Sequence, residues 1–311
     1  MTRPTAGGQA LRIGSRGSKL AVAQARWVAA ELLKKNPGLE ITFQTIVTAG
    51  DRDMSANFEA AGGKGVFVKE IEDALLAKEI DLAVHSLKDV PQNLPGGLKL
   101  GPFPAREDFR DAVISRFGEL LGELPRRSKI GTSSPRRQAQ VVNLFKKRGY
   151  AIEPLRGNVD TRLKKVQEGK YDAIILAAAG LKRLGLEVEI THLLEPSVFL
   201  PSATQGCLGL ELREDHGAVL ELLESIKDPA ATITALAERA FLQGLGGNCS
   251  VPVGAYSEII GEEIKMKAVL LDASGETAIR VEETGPKSDS LLVGFKLAGR
   301  LLYEGGSELL K

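Results

Sequence analysis

The sequence predicts an α/β chain: two doubly wound units followed by a small α+β domain. Three observations carry this. Short β-rich runs alternate with helical patterns through the first two thirds of the chain, the order that builds mostly parallel sheets covered by helices. A length of 311 residues exceeds what one core usually serves. Beyond Pro201 the alternation gives way to consecutive strand patterns closed by a helix.

Residues 11–14 and 40–47 read as strands, with an amphipathic helix over 18–35 between them. Apolar residues at helical spacing follow over 67–78, and 81–85 is a short buried strand. Pro102, Pro104 and the charged run 106–111 look like a hinge. The pattern then resumes, with strands at 112–115, 129–131, 151–155 and 172–177 and helices starting at Pro135 and Val159. The two stretches are built alike. A strand at 209–213 is placed to return to the first unit, and a helix over 232–245 ends at Gly246-Gly247. Strands at 251–257, 263–272 and 278–283 and a helix near 288–303 complete the chain. The expected domains are 1–104 with a return segment 202–225, then 105–201, then 226–311.

Charge narrows the function classes. With 41 basic and 40 acidic residues, net charge +1, the chain lacks the basic excess of a general nucleic-acid binder. The first ten residues have no apolar stretch, so no secretory leader is expected. The longest apolar run, 173–181, is too short to span a bilayer. Cys207 and Cys249 form no CxxC unit, and His85, His192 and His216 have no metal-ligand spacing. A cytoplasmic, metal-free protein is expected.

One construction recurs: a strand, a polar basic turn, then a helix N-terminus. It is found in Gly14-Ser15-Arg16-Gly17-Ser18, in Gly131-Thr132-Ser133-Ser134-Pro135-Arg136-Arg137, and in Arg156-Gly157-Asn158-Val159-Asp160-Thr161-Arg162. Unpaired backbone N–H groups and the helix dipole favour an anion there. Ser134 before Pro135 is a good N-cap, and the arginines add forked donors suited to carboxylate or phosphate. Three such turns are expected to converge on one crevice. Taken singly each is an ordinary capped helix, and carboxylate and phosphate ligands stay undivided. No GxxxxGK[ST] or GxGxxG is present.

His85-Ser86-Leu87-Lys88-Asp89-Val90-Pro91 follows a buried strand, where such sheets bind ligands, although a Lys-Asp pair in a turn is commonly just solvated. Gly62-Gly63-Lys64-Gly65 permits a flap or a plain connector. Cys249, on the turn Gly246-Gly247-Asn248-Cys249-Ser250, suits a reactive thiol, whereas Cys207 leads into a buried strand and suits the core.

In order and spacing these stretches resemble the signatures of the porphobilinogen deaminase family, from about Leu11 to the C-terminal helix. The resemblance implies three domains, the first two being periplasmic-binding-protein-like lobes with the active cleft between them. It implies a hydroxymethylbilane synthase activity: four porphobilinogens are joined, with loss of ammonia, into a linear tetrapyrrole in porphyrin and haem biosynthesis. Cys249 would anchor a covalent dipyrromethane cofactor, and Asp89 would be the catalytic carboxylate. Lys88, Ser134, Arg136, Arg137, Arg162 and Arg183 would hold the cofactor. Arg16, Ser18, Arg156, Lys64 and Phe67 would meet the substrate, Lys64 and Phe67 from the flap. A monomer working on a small molecule, with no nucleic-acid or membrane partner, is implied.

Two departures are visible. Asn248 stands where the family usually has glycine, and Asn tolerates left-handed backbone better than most residues. Pro135 replaces a more usual leucine and suits the first helical position. The competing readings are a two-lobed anion-binding protein without turnover and a phosphate-transferring enzyme.

Overall fold

The computed structural model describes residues 10–52, 68–247 and 251–310. Along the chain run β1 (Ala10–Arg16), α1 (Lys19–Lys35), β2 (Glu40–Ile46), α2 (Ala49–Arg52), α3 (Lys69–Leu76), β3 (Leu82–Ser86) and β4 (Leu98–Leu100). Next come β5 (Asp111–Ser115), β6 (Lys129–Gly131), α4 (Pro135–Phe145), β7 (Ala151–Glu153), α5 (Val159–Gln167), β8 (Ala173–Ala177), α6 (Ala178–Arg183) and β9 (His192–Leu193). The remainder is β10 (Leu208–Arg213), α7 (Gly217–Glu224), α8 (Pro229–Gly244), β11 (Val253–Ile260), β12 (Glu263–Leu271), β13 (Ala278–Pro286) and α9 (Ser290–Leu301), with a last short turn of helix beyond.

The contacts divide the chain into two compact units, Met1–Ala105 with Leu208–Pro229, and Arg106–Cys207 with Ala230–Lys311. The first holds a sheet of order β2-β1-β3-β10-β4, and the second a sheet of order β7-β6-β8-β5-β9. These are one topology used twice, as the similar build of the two stretches predicts. In each, the first three strands are mutually parallel and the last two pairings are antiparallel. Four of the five strands in each sheet therefore run the same way, so the sheets are mostly parallel as expected, with one reversed strand apiece. The reversed strands, β10 and β5, are the first strands after the chain crosses into each unit.

Apolar faces explain the layers. In the first sheet Leu11, Ile13, Leu82, Val84, Leu208, Leu210 and Leu212 pack with Ala25, Val28 and Leu32 of α1. Ile71 and Leu75 of α3 close the other face with Ala83. In the second unit two further clusters flank the five-stranded sheet. A separate core joins α8 and α9 to the antiparallel ladder β11-β12-β13, through Phe241, Met266, Leu270 and Leu297. This is the expected α+β portion.

Candidate anion-binding and catalytic turns

In the first unit β1 and β3 are parallel neighbours, with Ile13 opposite Leu82 and Gly14 opposite Ala83. Their C-terminal ends therefore lie side by side. Arg16 ends β1 and Ser18 lies in the turn leaving it; the turn leaving β3 carries Lys88 and Asp89. Ser18 is extended and its Oγ accepts the Ala21 amide at 3.2 Å, so it caps α1 as predicted. Leu87–Asp89 form one 3-10 turn, closed by the Val90 amide on the Leu87 carbonyl at 3.1 Å. Leu87 and Val90 are buried and anchor it. Lys88 is half-buried, and Asp89 projects, exposed. Among the described residues none donates a hydrogen bond to the Asp89 carboxyl.

The second unit carries the other two basic turns, so the three do not belong to a single sheet. Strands β7, β6 and β8 are parallel neighbours, and their C-terminal ends bear the turns. Ser134 is the N-cap of α4, with Pro135 at the first helical position; its Oγ accepts the Arg137 amide at 3.5 Å. Ser133 ties this turn to the next, accepting the Leu155 amide at 2.9 Å and donating to the Leu155 carbonyl at 3.0 Å.

Asp111, at the start of β5 opposite Ala177, is wholly buried at this same edge. Its Oδ1 accepts from Arg137 Nε at 3.1 Å and Nη2 at 2.7 Å, and its Oδ2 accepts from Arg136 Nη1 at 2.7 Å. Arg136 Nη1 also donates to the Leu200 carbonyl at 2.6 Å, and Arg137 Nη1 to the Ile175 carbonyl at 2.9 Å. Both arginines are buried, at 6% and 7% exposed, so the Arg137 fork expected for a ligand is engaged by Asp111. Arg136 keeps its Nε–H and Nη2 hydrogens outside this network.

Arg162, half-buried on α5, donates Nε to the Gly157 carbonyl at 2.7 Å, and Arg183, at the end of α6, donates Nη2 to the Gly206 carbonyl at 2.7 Å. Arg156 is half-buried in the same turn as Gly157.

The electrostatics show a shortage of negative charge. Burial would raise the Asp111 carboxyl, but Arg136 and Arg137 outweigh it and hold it well below the usual carboxylate range. Arg162 is lowered to about 10, by burial and then by the charge of Arg137. Burial lowers Arg136 as well, with Arg137 adding to the effect and Asp111 opposing it. Arg183 is lowered by burial. Arg136 and Arg137 thus share one carboxylate, and Arg162 feels the charge of Arg137, an arrangement suited to a ligand with further carboxylates.

Lys64, Phe67 and Cys249 lie outside the described residues, as does Asn248. Before Cys249, α8 is terminated by Gly246 and Gly247, both left-handed at φ +80° and +69°. Cys207 is buried in the core. Among the described residues no group of three or more His, Cys, Asp or Glu is placed to hold a metal ion, and no helix is long and apolar enough to cross a membrane.

Sequence reasoning missed Asp111, hidden in the charged run taken as a hinge, and Gln205, whose Nε2 donates to Asp111 Oδ1 at 2.9 Å. It also missed Arg106 and Glu238, a buried pair at 2.7 Å. The same run held the signal for Arg106 and Asp111, because consecutive charges near a strand start need partners when buried.

Residues 11–221 match the family model described as "Porphobilinogen deaminase, dipyromethane cofactor binding domain", and residues 232–303 the one described as "Porphobilinogen deaminase, C-terminal domain". A porphobilinogen deaminase of Roseiflexus sp. (strain RS-1) is 46% identical over 302 residues, covering 97% of this chain and 99% of that one. One from Geotalea daltonii is 44% identical over 300 residues, covering 96% and 93%. One from Syntrophobacter fumaroxidans is 42% identical over 301 residues, covering 97% of each. Among solved structures, an ancestral arginine-binding protein bound to arginine is 13% identical with a TM-score of 0.39, covering 71% of this chain and 92% of that one. A likeness at that level carries no weight, and the two-lobed fold rests on the strand orders.

Proposed function

The chain belongs to the porphobilinogen deaminase family, and on that footing we propose a division of labour among its residues. It is a transferase of tetrapyrrole biosynthesis that joins four porphobilinogens, with loss of ammonia, into hydroxymethylbilane. Its cofactor is dipyrromethane. The single observation that carries the assignment of residues is Arg136 and Arg137 sharing the one carboxylate of Asp111, with Arg162 close enough to feel the charge of Arg137. A buried, under-compensated guanidinium cluster fits an acidic pyrrole group and would not tolerate an apolar one.

Arg136, Arg137, Arg162 and Arg183, with Lys88 and Ser134, would hold the acetate and propionate groups of the cofactor, and Cys249 would bind it covalently. Arg16, Ser18 and Arg156, with Lys64 and Phe67, would meet incoming substrate. When bound, the cofactor supplies the pyrrole carbon on which the product chain is started.

Asp89 would carry the charge chemistry. Ammonia leaves porphobilinogen when the C–N bond of its protonated aminomethyl group breaks, and the pyrrole nitrogen supplies the electron pair, becoming cationic. The Asp89 carboxylate stabilises that cation, and it takes the proton released when the new C–C bond has formed. Its exposure on a turn fixed by buried Leu87 and Val90 supports this role: the carboxyl is available while its backbone is held.

We propose three domains with the boundaries expected from sequence; the distinct clusters of the first sheet, of the second sheet and of the β11-β12-β13 ladder support this, with a small shared cluster joining the last two. A monomer in the cytoplasm is proposed as well, supported by one chain supplying the full set of candidate residues. The test is single-turnover ammonia release by cofactor-loaded Asp89→Asn. Release should fall by at least about a hundredfold, near 2.7 kcal/mol of barrier, with the melting temperature unchanged. Near-normal release would remove Asp89 from the mechanism.

A further inference from the structure

The roles assigned above leave a buried ionisable set in the first unit unused. Nε2 of His85 on β3 lies 3.2 Å from Oε2 of Glu211 on β10, with the two side chains 4% and 0% exposed. Glu72, on α3, is buried beside them. Nε2 of His85, both carboxyl oxygens of Glu211 and Oε1 of Glu72 are buried without an aligned hydrogen-bond partner. Apolar side chains would fill such a place at less cost, so a purely space-filling role does not explain three ionisable groups.

Among the described residues, the basic groups nearest them on these strands are engaged elsewhere. Arg213, two residues along from Glu211, is turned to the Leu75 and Ile80 carbonyls and to Asp81. Arg12 on β1 pairs with Asp81, and Lys99 on β4 donates to the Glu214 carbonyl. Asp73, on α3, adds a further negative charge acting on Glu72. Burial first, and then the charge of Glu211, push the Glu72 carboxyl up to about 7, so near neutrality it holds its proton for much of the time.

The position of the contact points to its use. His85 and Ser86 are opposite Gly209 and Leu208, the last pairings of β3 with β10 before the Leu87–Asp89 turn. Gln24 of α1 donates to Ser86 Oγ at 2.9 Å. A Cβ on Gly209 would stand 3.1 Å from Val90 and 3.3 Å from Leu87, so the turn folds closely over β10 at that glycine. We propose that His85 and Glu211 are positioning residues for the reaction: their contact locks β3 to β10 one step before the turn and so fixes where Asp89 presents its carboxyl. This rests on the assignment of Asp89 above.

The experiment compares cofactor-loaded His85→Gln, Glu211→Gln, the double variant, Ser86→Ala and Asp89→Asn. It reads kcat, KM for porphobilinogen, added mass and melting temperature. Each single change at His85, Glu211 or Ser86 should lower kcat about tenfold or more with KM and added mass unchanged. The double variant, which sets two neutral amides against each other, should lose less than the singles combined. Wild-type kcat in both single variants, or fully additive losses in the double, would overturn the proposal, and so would wild-type kcat in Ser86→Ala where the singles melt early or fail to fold. If Asp89→Asn alone turns over normally, the Asp89 assignment falls. If Asp89→Asn is inactive while the others work normally, only the positioning role falls.

Discussion

Arg137 sets Nε and Nη2 on one oxygen of Asp111, at 3.1 and 2.7 Å, while Arg136 takes the other oxygen at 2.7 Å. One buried carboxylate therefore orients two guanidiniums at the start of α4, and it neutralises only one of them. The rest of their charge, with that of Arg162, is what an acidic pyrrole would meet.

Lysine should be a poor substitute at Arg136, Arg137 and Arg162, because a point charge cannot make forked contacts in two directions. Each lost charge-assisted contact should cost on the order of 1.5–3 kcal/mol. At Arg136 and Arg137 the loss should show both as lower stability and as a smaller cofactor-loaded fraction in intact mass. At Arg162, whose recorded bond is to a backbone carbonyl, loading should fall more than stability. Normal loading and chain length in all three lysine variants would contradict the anion-site assignment.

Glu238 makes a comparable prediction elsewhere in the same unit. Wholly buried, it accepts from Arg106 through both oxygens, at 2.7 and 3.0 Å, and from the Ser257 amide and hydroxyl at 2.8 Å. Glu238→Gln leaves the buried Arg106 without its counter-charge, and unfolding in urea should show a loss of about 3–5 kcal/mol. A loss below about 1 kcal/mol would mean that the pair is open to water.

Glu72 predicts a stability that depends on pH. Its carboxyl is raised in the folded protein from 4.5 to about 7, by burial first and then by Glu211. Between these values the folded chain binds more protons than the unfolded one, so stability falls as pH rises. The contribution is fully present below about 4.5 and is lost by the time pH has passed about 7. Glu72→Gln, which cannot ionise, should gain relative to the wild type across that window, by roughly 1–3 kcal/mol, and the gain should level off above it. A difference constant from pH 4 to 8 would contradict the assignment.

The elements were largely legible because periodicity and caps are local. The helix starts at Pro135 and Val159 and the strand at 129–131 are found where the sequence places them. The short α6 and β4 were not, since α6 continues the apolar run of β8 and β4 offers only three residues. The reversal of β5 and β10 could not be read, because direction depends on where the chain re-enters a sheet. The basic turns could be read; Asp111 as their hub could not, because its bonds to Arg136 and Arg137 join residues 25 and 26 positions apart. The His85–Glu211 contact spans a still longer separation and carries no local pattern.

The most direct test is the intact mass of purified protein before and after brief exposure to porphobilinogen. The predicted result is a starting mass above that of the bare sequence by one dipyrromethane, then a ladder of single-pyrrole increments that stops at four. Cys249→Ser should abolish both, and Cys207→Ser should keep them. A bare starting mass with no ladder, or an adduct retained in Cys249→Ser and lost in Cys207→Ser, would contradict the account.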